Sequence, residues 1–319
     1  KDMTYDRREL GIGAGIWVSA IILVFATFLA LWNIYDHYKH MYYPQAQKIL
    51  MVILTAPILI GWPSWVIVLV GEDVGILEVV TDIVKSLMII LFVEYTLRLI
   101  GWRMDSTGSH YDYDKVESSF SQLENGTHLC PCFGKIPLKT SEDVKIFIWR
   151  VRFAGIQYGI VFFFAAIAAT LLLTVDGDNY HYGELDPHYG YFWINMIKIV
   201  VSAIAMYHLL LYLTNIHKIH ELKHMNVDPK FLAVKIAFIG TQIQPTVIGS
   251  LADWGAIADT DEYDVDQITS YTTYLLLSIE MIIFAFVQGL IFPPREYKYK
   301  YSKKSVDSEK EPLVTADNQ

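Results

Sequence analysis

Cysteine and charge are both scarce in this chain. Only 2 of its 319 residues are cysteine, which excludes the disulfide framework of a small secreted domain and a cysteine-based metal centre. Charged residues make up 18% and hydrophobic residues 53% of the chain, a balance that excludes disorder and a coiled coil. The formal net charge is −9. No nucleic-acid partner is expected, because binding phosphates requires clustered Lys and Arg.

The apolar residues that dominate the composition occur in long blocks. Three blocks, 11–33, 49–70 and 153–175, contain no charged residue, and each is long enough to cross about 30 Å of hydrocarbon as a helix. Four further blocks, 83–102, 191–213, 231–251 and 268–292, contain isolated charges. The pattern predicts an all-α polytopic membrane protein with a seven-transmembrane helix bundle over residues 1–292. Membrane lipids are therefore expected partners.

The distribution of Lys and Arg predicts the sidedness of the bundle. Connections on one face hold 18 of these residues and those on the other face hold 3, and cytoplasmic loops retain positive charge. We therefore expect the N-terminus outside and the C-terminus in the cytoplasm. The cytoplasmic face is expected to hold the loop 103–152 and a partly disordered tail, 293–319. On this topology the sequon at Asn125 stays unglycosylated.

Lys198 is the first candidate for a binding residue within the predicted spans. It lies about 10 Å below the outer boundary at helical rise, on one face with Asn195 and Ser202 at i−3 and i+4. A cation beside hydrogen-bonding groups suits an anionic headgroup. The alternative is a lysine that pairs with a nearby acid or extends outward to water.

Other polar residues interrupt spans six and seven. Gln242, Gln244 and Pro245 break an apolar run, and proline frees a carbonyl one turn earlier, so this segment is typical of a site or a hinge. Glu280 falls near the middle of span seven. Three roles are open to it: a counter-charge to Lys198, a proton-sensitive gate, or a neutral hydrogen-bonded acid.

Span three is predicted to carry structural charges. Glu94 and Arg98 are four residues apart with the acid first, the order that favours an ion pair along one helix. Lys85 lies near the outer end of the span, where we expect its amine to reach water.

The cytosolic connections contain two weaker signals. Cys130 and Cys132 are juxtamembrane cysteines, which are candidates for S-acylation, with an unmodified reduced pair as the alternative. His217, His220 and His224 lie at spacings of three and four, but no intramembrane carboxylate is spaced to complete a zinc site. No metal and no cofactor are therefore expected.

Two other classes of seven-span protein are disfavoured. Receptors usually have a cysteine at the outer end of span three, whereas both cysteines here lie in an inner loop, and the seventh span lacks an NPxxY-like segment. A retinal protein needs a Schiff-base lysine in its last span. That span contains Glu280 and no lysine.

The residues of spans five and six carry a family resemblance. The pattern KF-x(11)-IQP-x(9)-GAI, from Lys230-Phe231 to Ile257, is its most specific part. It resembles the organic solute transporter alpha subunit, and YPQAQKILMVILTAPILIGWPSW in span two resembles that family and the related transmembrane protein 184 group. The similarity extends over about 40–290. The vertebrate alpha subunits have a longer cysteine run than Cys130 and Cys132.

The resemblance implies a transporter rather than an enzyme. It implies facilitated, sodium-independent movement of amphipathic organic anions such as bile acids and steroid conjugates, with a single-span beta-type subunit or a homodimer as partner and the plasma membrane or an internal membrane as location. In this hypothesis the substrate site comprises Asn195, Lys198, Ser202, Gln242, Gln244, Pro245 and Glu280. The alternative is a lipid- or steroid-sensing or trafficking protein that binds amphipaths without moving them.

Overall fold

A computed structural model describes residues 7–70, 75–105, 108–123, 125–128, 135–175, 187–258 and 265–298. Within these ranges the helices are α1 (Arg7–Lys39), α2 (Pro44–Leu54), α3 (Ala56–Val70), α4 (Gly75–Ile100), α5 (Tyr113–Ser121), α6 (Ser141–Val175), α7 (Gly190–Ile216), α8 (Val227–Asp253) and α9 (Val265–Ile291). Two antiparallel hairpins pair β1 (Trp102–Asp105) with β2 (Gly108–Tyr111) and β3 (Asn125–Thr127) with β4 (Lys135–Pro137).

The long helices coincide with the predicted apolar blocks to within two residues at each end or extend beyond them. In the part of the chain that the structure describes, five helical segments are long and apolar enough to cross a membrane: Ala14–Lys39, Pro44–Val70, Ser141–Leu172, Gly190–Ile216 and Gln267–Lys298. The chain is thus a helical, multi-span membrane protein. Helices α4 and α8 are not among these five segments, so seven spans remain a prediction.

The second predicted span is broken into two helices at Thr55. Pro57 has no N–H, so the carbonyl of Ile53 cannot receive the usual helical hydrogen bond from that residue. Gln288 of α9 donates from Nε2 to this carbonyl over 3.3 Å, and the Gln288 side chain is fully buried. The break is therefore held against α9 by a side chain from a different span.

Helix α9 lies at the centre of one half of the bundle, against α1, α3 and α8, while α4 joins that half to α6 through α3. Glycines permit the closest approach between α4 and α6. A Cβ at Gly159 would lie 2.6 Å from Ser86 Oγ, and one at Gly155 would lie 2.9 Å from Ile90. The two glycines form a GxxxG pattern, which the sequence analysis did not single out.

The described residues of 103–152, a range predicted only as a loop, fold into a small layer of two hairpins, α5 and the first turns of α6. Asp112 caps α5 by accepting from the backbone N–H of Asp114 over 3.0 Å. Thr140 and Asp143 begin α6 by exchanging side-chain to backbone hydrogen bonds of 3.0 and 3.1 Å. The layer is anchored where the Phe120 ring lies 6.0 Å from that of Phe147.

The start of the predicted tail also packs against the bundle. Tyr297 is fully buried, and its hydroxyl lies 2.6 Å from that of Tyr95 on α4. The disorder predicted for the tail from Ser305 onward falls on residues that lie outside the described part of the chain.

Candidate functional site

Lys198 lies on the face of α7 that packs against α6. Its side chain is half-buried, and its Nζ lies 5.4 Å from the centroid of the Phe162 ring on α6. Among the described residues it forms no ion pair with a carboxylate. Ser202 is buried and donates from Oγ to the Lys198 carbonyl over 2.7 Å, while Asn195 is half-buried one turn earlier. Within the described residues the ammonium group lies over an aromatic face and has no carboxylate partner, which leaves its N–H donors for an anion.

Aromatic and ionic groups continue from Lys198 towards α4. The Phe162 ring lies 4.2 Å from that of Tyr158, one turn earlier on α6. On α4, Lys85 and Asp82 form an ion pair of 2.9 Å, and both residues are buried. The expectation that Lys85 reaches water is therefore wrong, because a carboxylate one turn away on its own helix neutralises it inside the bundle.

The polar residues of spans six and seven form a second cluster between α8 and α9. Gln244 donates from Nε2 to the carbonyl of Thr273 over 3.2 Å. Glu280 is half-buried, and its Oε2 would lie 3.5 Å from a Cβ at Gly240. Pro245 lies within α8, which continues as one helix from Val227 to Asp253. The side chain of Gln242 lies outside the described part of the chain.

The structure does not unite these two clusters into one charge pair. Helix α7 packs mainly on α6, whereas α8 packs on α9 and α4. Within the described residues Lys198 and Glu280 form no ion pair, so the counter-charge role proposed for Glu280 is not observed. Because the two clusters lie on different helix pairs, Lys198 is the candidate contact for a charged group and Gln244 for a polar one.

The predicted ion pair between Glu94 and Arg98 is not formed. Glu94 instead pairs with Arg152 of α6 over 2.5 Å, and the Arg98 guanidinium lies over the Tyr111 ring, 4.2 Å from its centroid. The tight α4–α6 packing brings a second arginine to Glu94, and the first hairpin offers Arg98 an aromatic face. Sequence spacing along α4 gave no indication of either partner.

Lys230 is a structurally important residue that the sequence analysis quoted only as part of a motif. Its side chain is fully buried at the start of α8, where it forms an ion pair with Glu296 and donates to the Met225 carbonyl over 2.6 Å. Its Nζ also lies 5.6 Å from the Phe292 ring centroid. The sequence does place Lys230 directly before an apolar block and Glu296 shortly after Pro293-Pro294, and these two positions could have indicated the pair.

The remaining predicted sites are the two cysteines and the three histidines of the connections between spans. Cys130 and Cys132 lie outside the described residues. His217 faces Asp228 with 3.1 Å between Nδ1 and Oδ1, and the rings of His220 and His224 meet edge to face. No group of three metal-ligating side chains converges among the described residues.

Comparison with known proteins places the chain in a family. No solved structure matches it. A transmembrane protein 184 homolog of Dictyostelium discoideum is 28% identical over 152 residues, which cover 46% of this chain and 30% of that relative. The chain thus aligns with under a third of the length of this curated relative. The family model described as organic solute transporter Ostalpha matches residues 15–297, from the first turns of α1 to the buried Tyr297. The chain therefore belongs to the organic solute transporter alpha family, as its span-six motif predicted.

Proposed function

We propose that this protein is a carrier that moves amphipathic organic anions, such as bile acids and steroid conjugates, down their concentration gradient. Family membership over residues 15–297 supports a transporter. The observation that carries the choice of an anion is Lys198, a half-buried cation on a candidate membrane span with no carboxylate partner among the described residues. A cation at depth is costly unless it binds a counter-charge.

The proposed binding mode divides the substrate into two ends. The charged end meets Lys198, whose ammonium group lies over the Phe162 ring, with Asn195 one turn earlier on α7. The apolar body lies along the helices towards α8 and α9, where Gln244 and Glu280 supply polar contacts. Pro245 removes one backbone hydrogen bond in α8 and gives that helix a place to bend. Direction is set by the solute gradient.

The proposal includes seven spans with the N-terminus outside. Glycosylation mapping in a microsomal translation system tests this arrangement. We expect the natural sequon at Asn125 to stay unmodified, and a sequon inserted after Pro187, ahead of α7, to be glycosylated. Modification of Asn125 would reverse the assigned sidedness of every site.

The family also suggests accessory features, which we propose for this chain: a single-span beta-type partner or a homodimer, S-acylation at Cys130 and Cys132, and residence in the plasma membrane. Co-expression with a beta-type subunit should raise the surface fraction of the chain. A Cys130→Ser, Cys132→Ser variant should lose incorporation of a clickable palmitate analogue.

Flux through the purified protein tests the proposed function. Liposomes containing the chain and preloaded with a radiolabelled sulfated steroid should release it faster than protein-free liposomes. The same assay with an added beta-type subunit tests whether the chain needs this partner to release the steroid. Binding of the steroid without release, in both preparations, would identify a sensor in place of a carrier.

A further inference from the structure

Three ion pairs lie around the end of α4 beneath the first hairpin. The ion pairs there are Glu94–Arg152 (2.5 Å), Asp112–Arg103 (2.8 Å) and Glu117–Lys145 (3.2 Å). Each acid in these pairs has one basic partner. Arg98 lies among them and forms no ion pair within the described residues.

Asp112 and Glu117 are each paired with one of the basic residues of this region. A hydrogen bond from Arg103 holds the pKa of Asp112 below its usual range. A hydrogen bond from Ser141, with a further contribution from Lys145, lowers the pKa of Glu117 in the same way. Neither acid is therefore available as a counter-charge for Arg98.

The guanidinium of Arg98 lies over an aromatic ring. The side chain is half-buried, and its Cζ lies 4.2 Å from the centroid of the Tyr111 ring. Close packing against Gly101 restricts the Tyr111 ring, because a Cβ at Gly101 would lie only 2.5 Å from it. A guanidinium that lies over an aromatic ring can still donate from its N–H groups, which bind carboxylate, sulfate or phosphate in a bidentate manner.

Arg152 adds a second guanidinium to the same place. Its partner Glu94 lies one helical turn before Arg98, on the same face of α4. The Nε of Arg152 is buried and has no hydrogen-bond partner among the described residues. Arg152 therefore pairs with Glu94 while Arg98 has no carboxylate partner within the described residues, and both guanidiniums retain donors that the described residues do not use.

We propose that Arg98, with Arg152 beside it, forms an inner anion site that binds the oxyanion group of an amphipath at the end of α4. The group is a sulfate or carboxylate when it comes from a transported solute, and a phosphate or carboxylate when it comes from an anionic lipid headgroup. The solute source rests on the proposed function. The headgroup source does not depend on transport.

Two binding measurements on the full chain distinguish the sources. The first measures the affinity of a tritiated sulfated steroid for the detergent-solubilised protein, in a Lys198→Ala background so that Lys198 does not contribute. The second compares the thermal unfolding temperature in nanodiscs of phosphatidylcholine alone with that in nanodiscs containing phosphatidylserine. Each is performed with Arg98→Gln and with Arg150→Gln, a matched control because Arg150 is an exposed arginine on α6.

We expect Arg98→Gln to change the steroid affinity, the stabilisation by phosphatidylserine or both, and Arg150→Gln to change neither. A solute site predicts steroid affinity weaker by about tenfold, the loss of one charge-assisted contact. A headgroup site predicts that the stabilisation by phosphatidylserine disappears. Equal values for the two variants in both measurements would overturn the anion site.

Further variants keep the test decisive where Arg98→Gln fails to fold. Tyr111→Phe retains the stacked ring and should bind as the parent does, whereas Tyr111→Ala releases the guanidinium and should weaken binding. Equal binding by both tyrosine variants would count against the site. Loss of steroid flux in the parent protein together with Arg98-dependent headgroup binding would refute the proposed function and leave the inner site intact.

Discussion

Replacing Lys198 by alanine should reduce uptake of a sulfated steroid by roughly tenfold to a hundredfold, the range for losing a hydrogen bond to a charged group. The ammonium group contacts the Phe162 ring and has no acid partner within the described residues, so the substrate loses its main charged contact. Lys198→Arg keeps the charge and should retain most of the uptake. Rates are measured in proteoliposomes at equal protein content.

The sharpest control for this prediction is the charge of the solute. Uptake of an uncharged steroid by the same variant should change little, because it makes no use of the ammonium group. Lys235→Ala provides a matched lysine, since Lys235 is also half-buried within a long helix, α8. Equal losses for charged and uncharged steroids would show that Lys198 supports the fold and not recognition.

Replacing Lys230 by methionine should destabilise the protein by about 3–5 kcal/mol, the cost of leaving a buried charge without its partner. Lys230 is fully buried, and the Glu296 side chain is 12% exposed. The pair joins the start of α8 to the segment after α9, so its loss should loosen the end of the bundle. The measurement is the unfolding free energy in mixed micelles, followed by circular dichroism.

Two comparisons separate this effect from a general loss of charge. Lys145→Met removes an exposed partner of Glu117, with 58% of the lysine side chain accessible, and should have a small effect because solvent already screens that pair. Lys230→Met combined with Glu296→Leu removes both charges and should recover much of the lost stability. A loss for Lys230→Met no larger than that for Lys145→Met would contradict the structural role of the pair.

The hydrophobic pattern predicted the helices well because lipid imposes a simple rule on the chain. A segment that crosses hydrocarbon must satisfy its own backbone, so a long apolar block is a helix. The same rule fails at Thr55, where Pro57 splits one apolar block into α2 and α3. Gln288 supplies the missing hydrogen bond from elsewhere in the chain, and a local pattern contains no such information.

The candidate site was less predictable because charged residues choose partners in three dimensions. Helical spacing correctly placed Ser202 one turn from Lys198, but it paired Glu94 with Arg98 when the partner is Arg152 on α6. It also predicted that the Lys85 amine reaches water, although an ion pair with Asp82, one turn away, keeps it buried in the bundle. Packing between α4 and α6 decides the first case, and burial of a local ion pair decides the second.

Exchange across the membrane tests most directly whether the chain is a carrier for amphipathic anions. Proteoliposomes preloaded with unlabelled sulfated steroid should take up labelled steroid faster than empty ones, because a loaded carrier returns its site to the outer face. Lys198→Ala should lose this acceleration. Labelled steroid that binds the protein, yet enters preloaded and empty proteoliposomes at the rate of protein-free liposomes, would contradict the account.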